Sequence, residues 1–138
     1  MRNNTKLIKN LHLGISSFII IIMGLIYGIS PSKILPLFFD VKVESIDLNN
    51  IFRAIMGLYF AMAIYWIIGI IKPNQWRSAT LVNIIFMGGL AFGRIISLVI
   101  DGISIPYSKG LVLELIFMSW GIYNLNNEMK KTEKKMKH

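Results

Sequence analysis

The sequence predicts an all-α fold: a four-transmembrane-helix bundle with the N and C termini cytoplasmic. Three observations lead there. The first is composition, 54% hydrophobic and only 16% charged, where a soluble domain carries about 45–50% apolar and about 25% charged residues; the mean hydropathy of +0.59 agrees. The second is four apolar runs, each close to the roughly 20 residues that span a hydrocarbon core of roughly 30 Å. The third is that most charge lies outside those runs. A length of 138 residues fits one domain, taken as residues 1–129, followed by a basic cytoplasmic tail at 130–138.

The first run gives a helix over about 11–30. Arg2, Lys6 and Lys9 before it resemble the basic start of a signal peptide, but the apolar stretch exceeds the usual cleaved core of about 7–15 residues, and Pro31 follows the best small-residue site. We read it as a retained helix. The longest connection comes next. Within it Phe39-Asp40-Val41-Lys42-Val43-Glu44 alternates apolar and polar, the pattern of a short strand or of an amphipathic piece on the membrane. Asp47, Asn49 or Asn50 is placed to cap the second helix, about 51–71. Pro73 stops that helix, and residues 72–77 form a tight turn. The third helix covers about 78–100. Gly102 and Pro106 break the chain before the fourth, about 107–125, which is the least apolar because it contains Glu114.

Lysine and arginine set the orientation. Ten sit at the amino end, in the 72–77 turn and in the tail, against Lys33, Lys42 and Lys109 on the other side. Both termini and the middle turn therefore belong inside, with Trp66, Trp76 and Trp120 expected at the inner interface. The net charge of +8 raises a nucleic-acid reading, but basic flanks on apolar segments fit anionic lipid head groups instead. We expect membrane lipids as partners, a membrane-protein partner or a homodimer beside them, and no nucleic acid. The absence of cysteine removes disulfides and thiolate chemistry. His12 and His138, the two histidines, form no metal-ligand spacing and read as incidental polar residues; no metal or cofactor is expected.

Small residues four apart let helices approach in lipid. Gly24 with Gly28, Gly57 with Ala61 and Gly89 with Gly93 supply one such pair in each of the first three helices. Charges inside apolar runs cost roughly 2.5–3.5 kcal/mol on insertion scales and so tend to face the interior and pair. Arg53, Arg94 and Glu114 all fall in the outer half of the membrane, with Asp101 at the end of the third helix. Asn83, Met87, Leu90, Arg94, Ser97 and Asp101 share one helical stripe; Gly110, Glu114, Met118 and Gly121 line a face of the fourth helix. Arg94 is thus expected to face Glu114, with Arg53, Ser97 and Asp101 completing a cluster. Its bland meaning is a structural salt bridge; its functional meaning is a pocket for a lipid-like or small anionic ligand, or a small solute or proton carrier using Arg94 and Glu114. With no histidine base nearby, no metal group and no glycine-rich phosphate loop, the chain is not expected to be an enzyme.

The stretches Arg53-Ala54-Ile55-Met56-Gly57-Leu58-Tyr59, Gly93-Arg94-Ile95-Ile96-Ser97-Leu98-Val99-Ile100-Asp101-Gly102 and Leu113-Glu114-Leu115 add a resemblance. Over roughly residues 50–118 the chain resembles a family of small four-helix bacterial integral membrane proteins catalogued as a domain of unknown function. In that family a proline follows the Asp-Gly pair sooner than Pro106 does here. The resemblance implies a bacterial cytoplasmic (inner) membrane location and implies no activity.

Overall fold

The computed structural model describes the backbone of residues 2–136 and the side chains of residues 9–131. The described residues form five helices: α1 (Arg2–Gly28), α2 (Pro31–Phe38), α3 (Ile46–Ile71), α4 (Trp76–Ile100) and α5 (Ile105–Met136). No strand occurs among the described residues. Four of the helices are long and run alternately up and down, with α1 packed mainly on α3 and α5 mainly on α4. The bundle thus has a termini end, which also holds the α3–α4 turn, and an opposite end, where α2 lies. Lys9–Gly28, α3 and α4 are long and apolar enough to cross a membrane.

Three local expectations change. The alternating stretch at 39–44 is irregular backbone rather than a strand; it tucks Val43 into the core and pairs with no edge that would make it a ladder. The preceding segment is a helix, because Pro31 stands at the start of α2, where a missing N–H costs nothing, and Pro36 interrupts one bond in only 8 residues. The cap of α3 is Ser45, whose hydroxyl accepts from the Leu48 N–H at 3.1 Å. Asp47 lies in the first turn, where its charge suits the positive end of the helix dipole. The basic tail is not a separate extension: its lysines continue α5 as far as Met136, good helix formers following an established helix. Residues 137 and 138, and with them His138, lie outside the described residues.

Close helix contacts use only some of the small-residue pairs. A Cβ on Gly24 would stand 3.1 Å from Phe60, and one on Gly28 would overlap the Met56 side chain, so this pair seats α1 against α3. Gly69 meets Ala79 just as closely beside the α3–α4 turn. Gly57, Gly89 and Gly93 have nothing within 4 Å of where a Cβ would point. The tryptophans also differ from expectation. Trp66 and Trp76 are buried in the core instead of lying on the outer surface at an interface, because α3 and α4 turn them toward the bundle axis.

Candidate functional site: the Arg94–Glu114 pair and its cleft

Arg94 and Glu114 come from neighbouring antiparallel helices. The α4 stripe begins in the core at Asn83 and Met87, reaches the half-buried Arg94 and ends exposed at Ser97 and Asp101. On α5, Glu114 and Phe117 point inward. Arg94 Nε donates to both carboxylate oxygens of Glu114, at 2.7 and 2.9 Å. Glu114 is only 7% exposed, so this charge-assisted contact answers the cost of placing a carboxylate among apolar side chains. Room for the guanidinium is made by Gly110: a Cβ there would sit 3.1 Å from Arg94 Cζ.

Aromatic side chains from other elements close round the pair. Arg94 Cζ lies 5.4 Å from the centre of the Tyr107 ring, within the range of a cation–π contact. Tyr107 stacks on Phe39 with ring centres 5.2 Å apart, and Phe39 on Tyr27 at 5.7 Å. The segment after α2 therefore holds the cation from above, through a chain of rings that joins α1, the connection and α5.

Beside the pair lies a cleft of about 380 Å³ between α4 and α5. Gly89 and Gly93 form one wall, Tyr107, Ser108 and Leu111 the other, and Arg94 borders it. Ser97 and Ser104 add hydroxyls near its Gly102 end. The positive φ of Gly102, 95°, a conformation other residues resist, turns the chain there between α4 and α5.

Two sequence-selected residues do not join the pair. Asp101 is exposed and accepts the Ser97 hydroxyl at 2.7 Å; among the described residues it makes no ion pair with Arg94. It ends α4, and its carboxylate is used locally one turn back. Arg53 is exposed on α3 and forms no ion pair among the described residues. The reason is azimuth. The inward face of α3 carries Tyr59, Ala63 and Trp66, and a residue six before Tyr59 is about 120° away round a helix of 3.6 residues per turn. Equal depth put Arg53 beside the cluster; helix phase took it out.

A model of the family described as Domain of unknown function (DUF4345) matches residues 8–125. The chain belongs to that family. No curated protein and no solved structure matches it. The matched region of this DUF4345 chain starts inside α1 and ends inside α5, and so contains the ion pair and the whole cleft.

It also contains residues that sequence reasoning passed over. His12 is not incidental: it has no accessible surface, and its Nδ1 lies 2.9 Å from Asn124 Nδ2 and 3.1 Å from the Lys9 carbonyl. Its ring meets Trp76 edge-on and Trp120 at a tilt. Lys9 Nζ bonds Glu128 at 2.7 Å and stands 3.9 Å from the centre of the Trp76 ring. The available signal was phase. His12 and Ser16 are four apart on α1, and Trp76, Thr80, Asn83 and Met87 follow one α4 stripe, of which Asn83 and Met87 belong to the stripe that carries Arg94.

Proposed function

We propose that this DUF4345 protein is a non-enzymatic, four-span protein of the bacterial cytoplasmic membrane that binds one lipid-like, anionic ligand in the α4–α5 cleft, its head group at Arg94. The observation that carries this is the cleft itself: apolar and glycine-walled along α4, and bordered by a cation and hydroxyl groups at one end. Such a division suits an acyl chain and a charged head. Arg94 uses one nitrogen for Glu114, while a guanidinium has five N–H groups; a partly neutralised cation still donates to a phosphate or carboxylate. The termini end is cytoplasmic on the lysine and arginine count. The fourth crossing is α5, whose Glu114 is tolerable in lipid because Arg94 meets it.

A carrier reading has less support. Below the pair, the Phe86 ring meets those of Tyr59 and Trp66 edge to face, each with centres 5.6 Å apart, a barrier to a continuous polar path.

Gly93→Leu tests the proposal, since it fills the cleft without touching either charge. Protein purified from native membrane should carry an acidic phospholipid detectable by native mass spectrometry. Adding phosphatidylglycerol should raise the melting temperature more than phosphatidylcholine does, as ligand linkage requires. Gly93→Leu should lose both effects and still fold. Equal lipid retention and equal thermal response in the two proteins would reject the cleft as the site.

A further inference from the structure

The half of the bundle nearer the termini is polar inside, and its polar groups are neutral. His12, Ser16, Thr80 and Asn83 have no accessible surface, and neither does Trp66. Together with Trp76, these residues bury seven polar atoms that find no protein hydrogen-bond partner among the described residues: His12 Nε2, Ser16 Oγ, Trp66 Nε1, Trp76 Nε1, Thr80 Oγ1, and Nδ2 and Oδ1 of Asn83. Folded proteins leave few such groups unsatisfied. Seven within one compartment call for a common partner.

Depth brings them together. Measured from the termini end at about 1.5 Å per residue, Ser16 lies about 10 Å beyond Lys9, and Asn83 about 10 Å beyond Trp76. Trp66 lies about 8 Å up α3 from Ile71 on the same scale. All six side chains are buried between the helices, within about 10 Å of the level of Trp76 at the termini end.

Their chemistry selects the partner. Two indole N–H groups only donate and so repel a cation. No ionised side chain stands among the six to balance an anion. Two hydroxyls and an amide both donate and accept, and His12 Nε2 needs a partner whichever tautomer the ring adopts, as a donor when it carries the proton and as an acceptor when Nδ1 does. Water meets all of these demands. It is also small enough for a site with no opening to the surface.

We infer that α1, α3, α4 and α5 enclose a hydration site in the termini half of the bundle, in which ordered water bridges His12, Ser16, Thr80 and Asn83 to the indoles of Trp66 and Trp76. Lys9 covers it at the termini end through Trp76 and Glu128. On the other side Tyr59, Phe86 and Phe117 separate it from the Arg94–Glu114 pair. The site is closed at both ends and independent of the lipid cleft.

Hydroxyl radicals made from water by a short X-ray pulse test this on the full chain in nanodiscs. Bound water should make Trp66 and Trp76 oxidise several-fold faster than Phe117, after correction for intrinsic reactivity, although all three are buried. Labelling no faster than that of Phe117 overturns the inference. Thr80→Val and Asn83→Leu supply a second readout of opposite sign for the two cases. Loss of a water-bridged group should lower the melting temperature and reduce labelling at Trp66 and Trp76. A dry interior would instead gain stability from the apolar replacement, and a raised melting temperature or unchanged labelling overturns the inference. If a variant does not fold, labelling of the parent protein decides.

Discussion

The two halves of this bundle handle polarity in opposite ways. Toward α2, two full charges satisfy each other, and the wall beside them is open. Toward the termini, the interior polar groups are neutral, numerous and without exposed surface. The helix α4 runs through both, and its spacing from α5 explains the difference. In the termini half a Cβ on Gly121 would come within 2.7 Å of Ile84. In the α2 half Gly93 meets nothing, and a cleft opens beside Arg94. A guanidinium, a carboxylate and the ring of Tyr107 take more width than two close-packed backbones allow. The lesson is that an ion pair between two membrane helices fixes their register and also props them apart, which turns a structural contact into the rim of a pocket.

The largest effect should come from breaking the pair. Glu114→Leu leaves a buried cation without its partner, and a loss of about 3–5 kcal/mol is expected for a broken buried pair. Arg94→Met should cost a comparable amount, and the double variant much less than the sum, as coupled residues require. Equilibrium unfolding of the four proteins in detergent measures the coupling. Additive losses would mean that the 2.7 Å contact does not organise this half. A normal fold with reduced lipid retention in the double variant would separate the pair's structural role from the cleft's binding role.

A smaller effect distinguishes helix contacts that use a glycine from those that do not. Gly28→Ala puts a methyl onto the Met56 side chain, and overpacking of this kind costs about 1–3 kcal/mol. Gly57→Ala adds a methyl in open space and removes a poor helix former, so a change between about zero and a gain of about 1 kcal/mol is expected. Thermal unfolding of both variants checks the contrast. Equal effects would show that the α1–α3 seam is not set by Gly28.

How much of this was legible in the sequence depends on which coordinate a residue needed. Depth was readable from hydropathy and rise per residue, so Arg94 and Glu114 were placed at the same level and on facing stripes, and they meet. Azimuth was readable only where a helix has a clear polar stripe. On α4 the four-three spacing supplied one. On α3 apolar residues surround the helix, no phase could be chosen, and Arg53 was drawn into a cluster that it does not join. Neutral polar residues were harder still. Ser16, Thr80 and Asn83 barely disturb a hydropathy profile, and a tryptophan near a membrane boundary suits an interface and a core equally well. Trp66 and Trp76 became core residues only once the packing of α3 on α4, tightened by Gly69 against Ala79, fixed which way they turn. The helix α2 went unread within the long connection, although Pro31 stands where a helix start tolerates it.

The smallest effect bears on the comparison most directly, because it asks whether charge matters in the neutral half. Lys9 is joined to Glu128 at 2.7 Å and to the Trp76 ring at 3.9 Å. The ion pair is partly exposed, with side-chain accessibilities of 26% and 38%, and pairs of this kind contribute about 0–1 kcal/mol and weaken as salt screens them. The contact with Trp76 adds about 0.5–1 kcal/mol at a wet site. Lys9→Met removes both charged contacts while keeping an apolar stem over the indole, so it should lower stability by no more than about 2 kcal/mol at low salt. Most of that difference should vanish at high salt. The Arg94–Glu114 coupling, shielded from solvent, should keep its size in the same titration. A salt-independent loss at Lys9 as large as that at Glu114 would mean that the termini half also depends on a buried charge, and the contrast between the halves would have to be redrawn around Lys9 and His12.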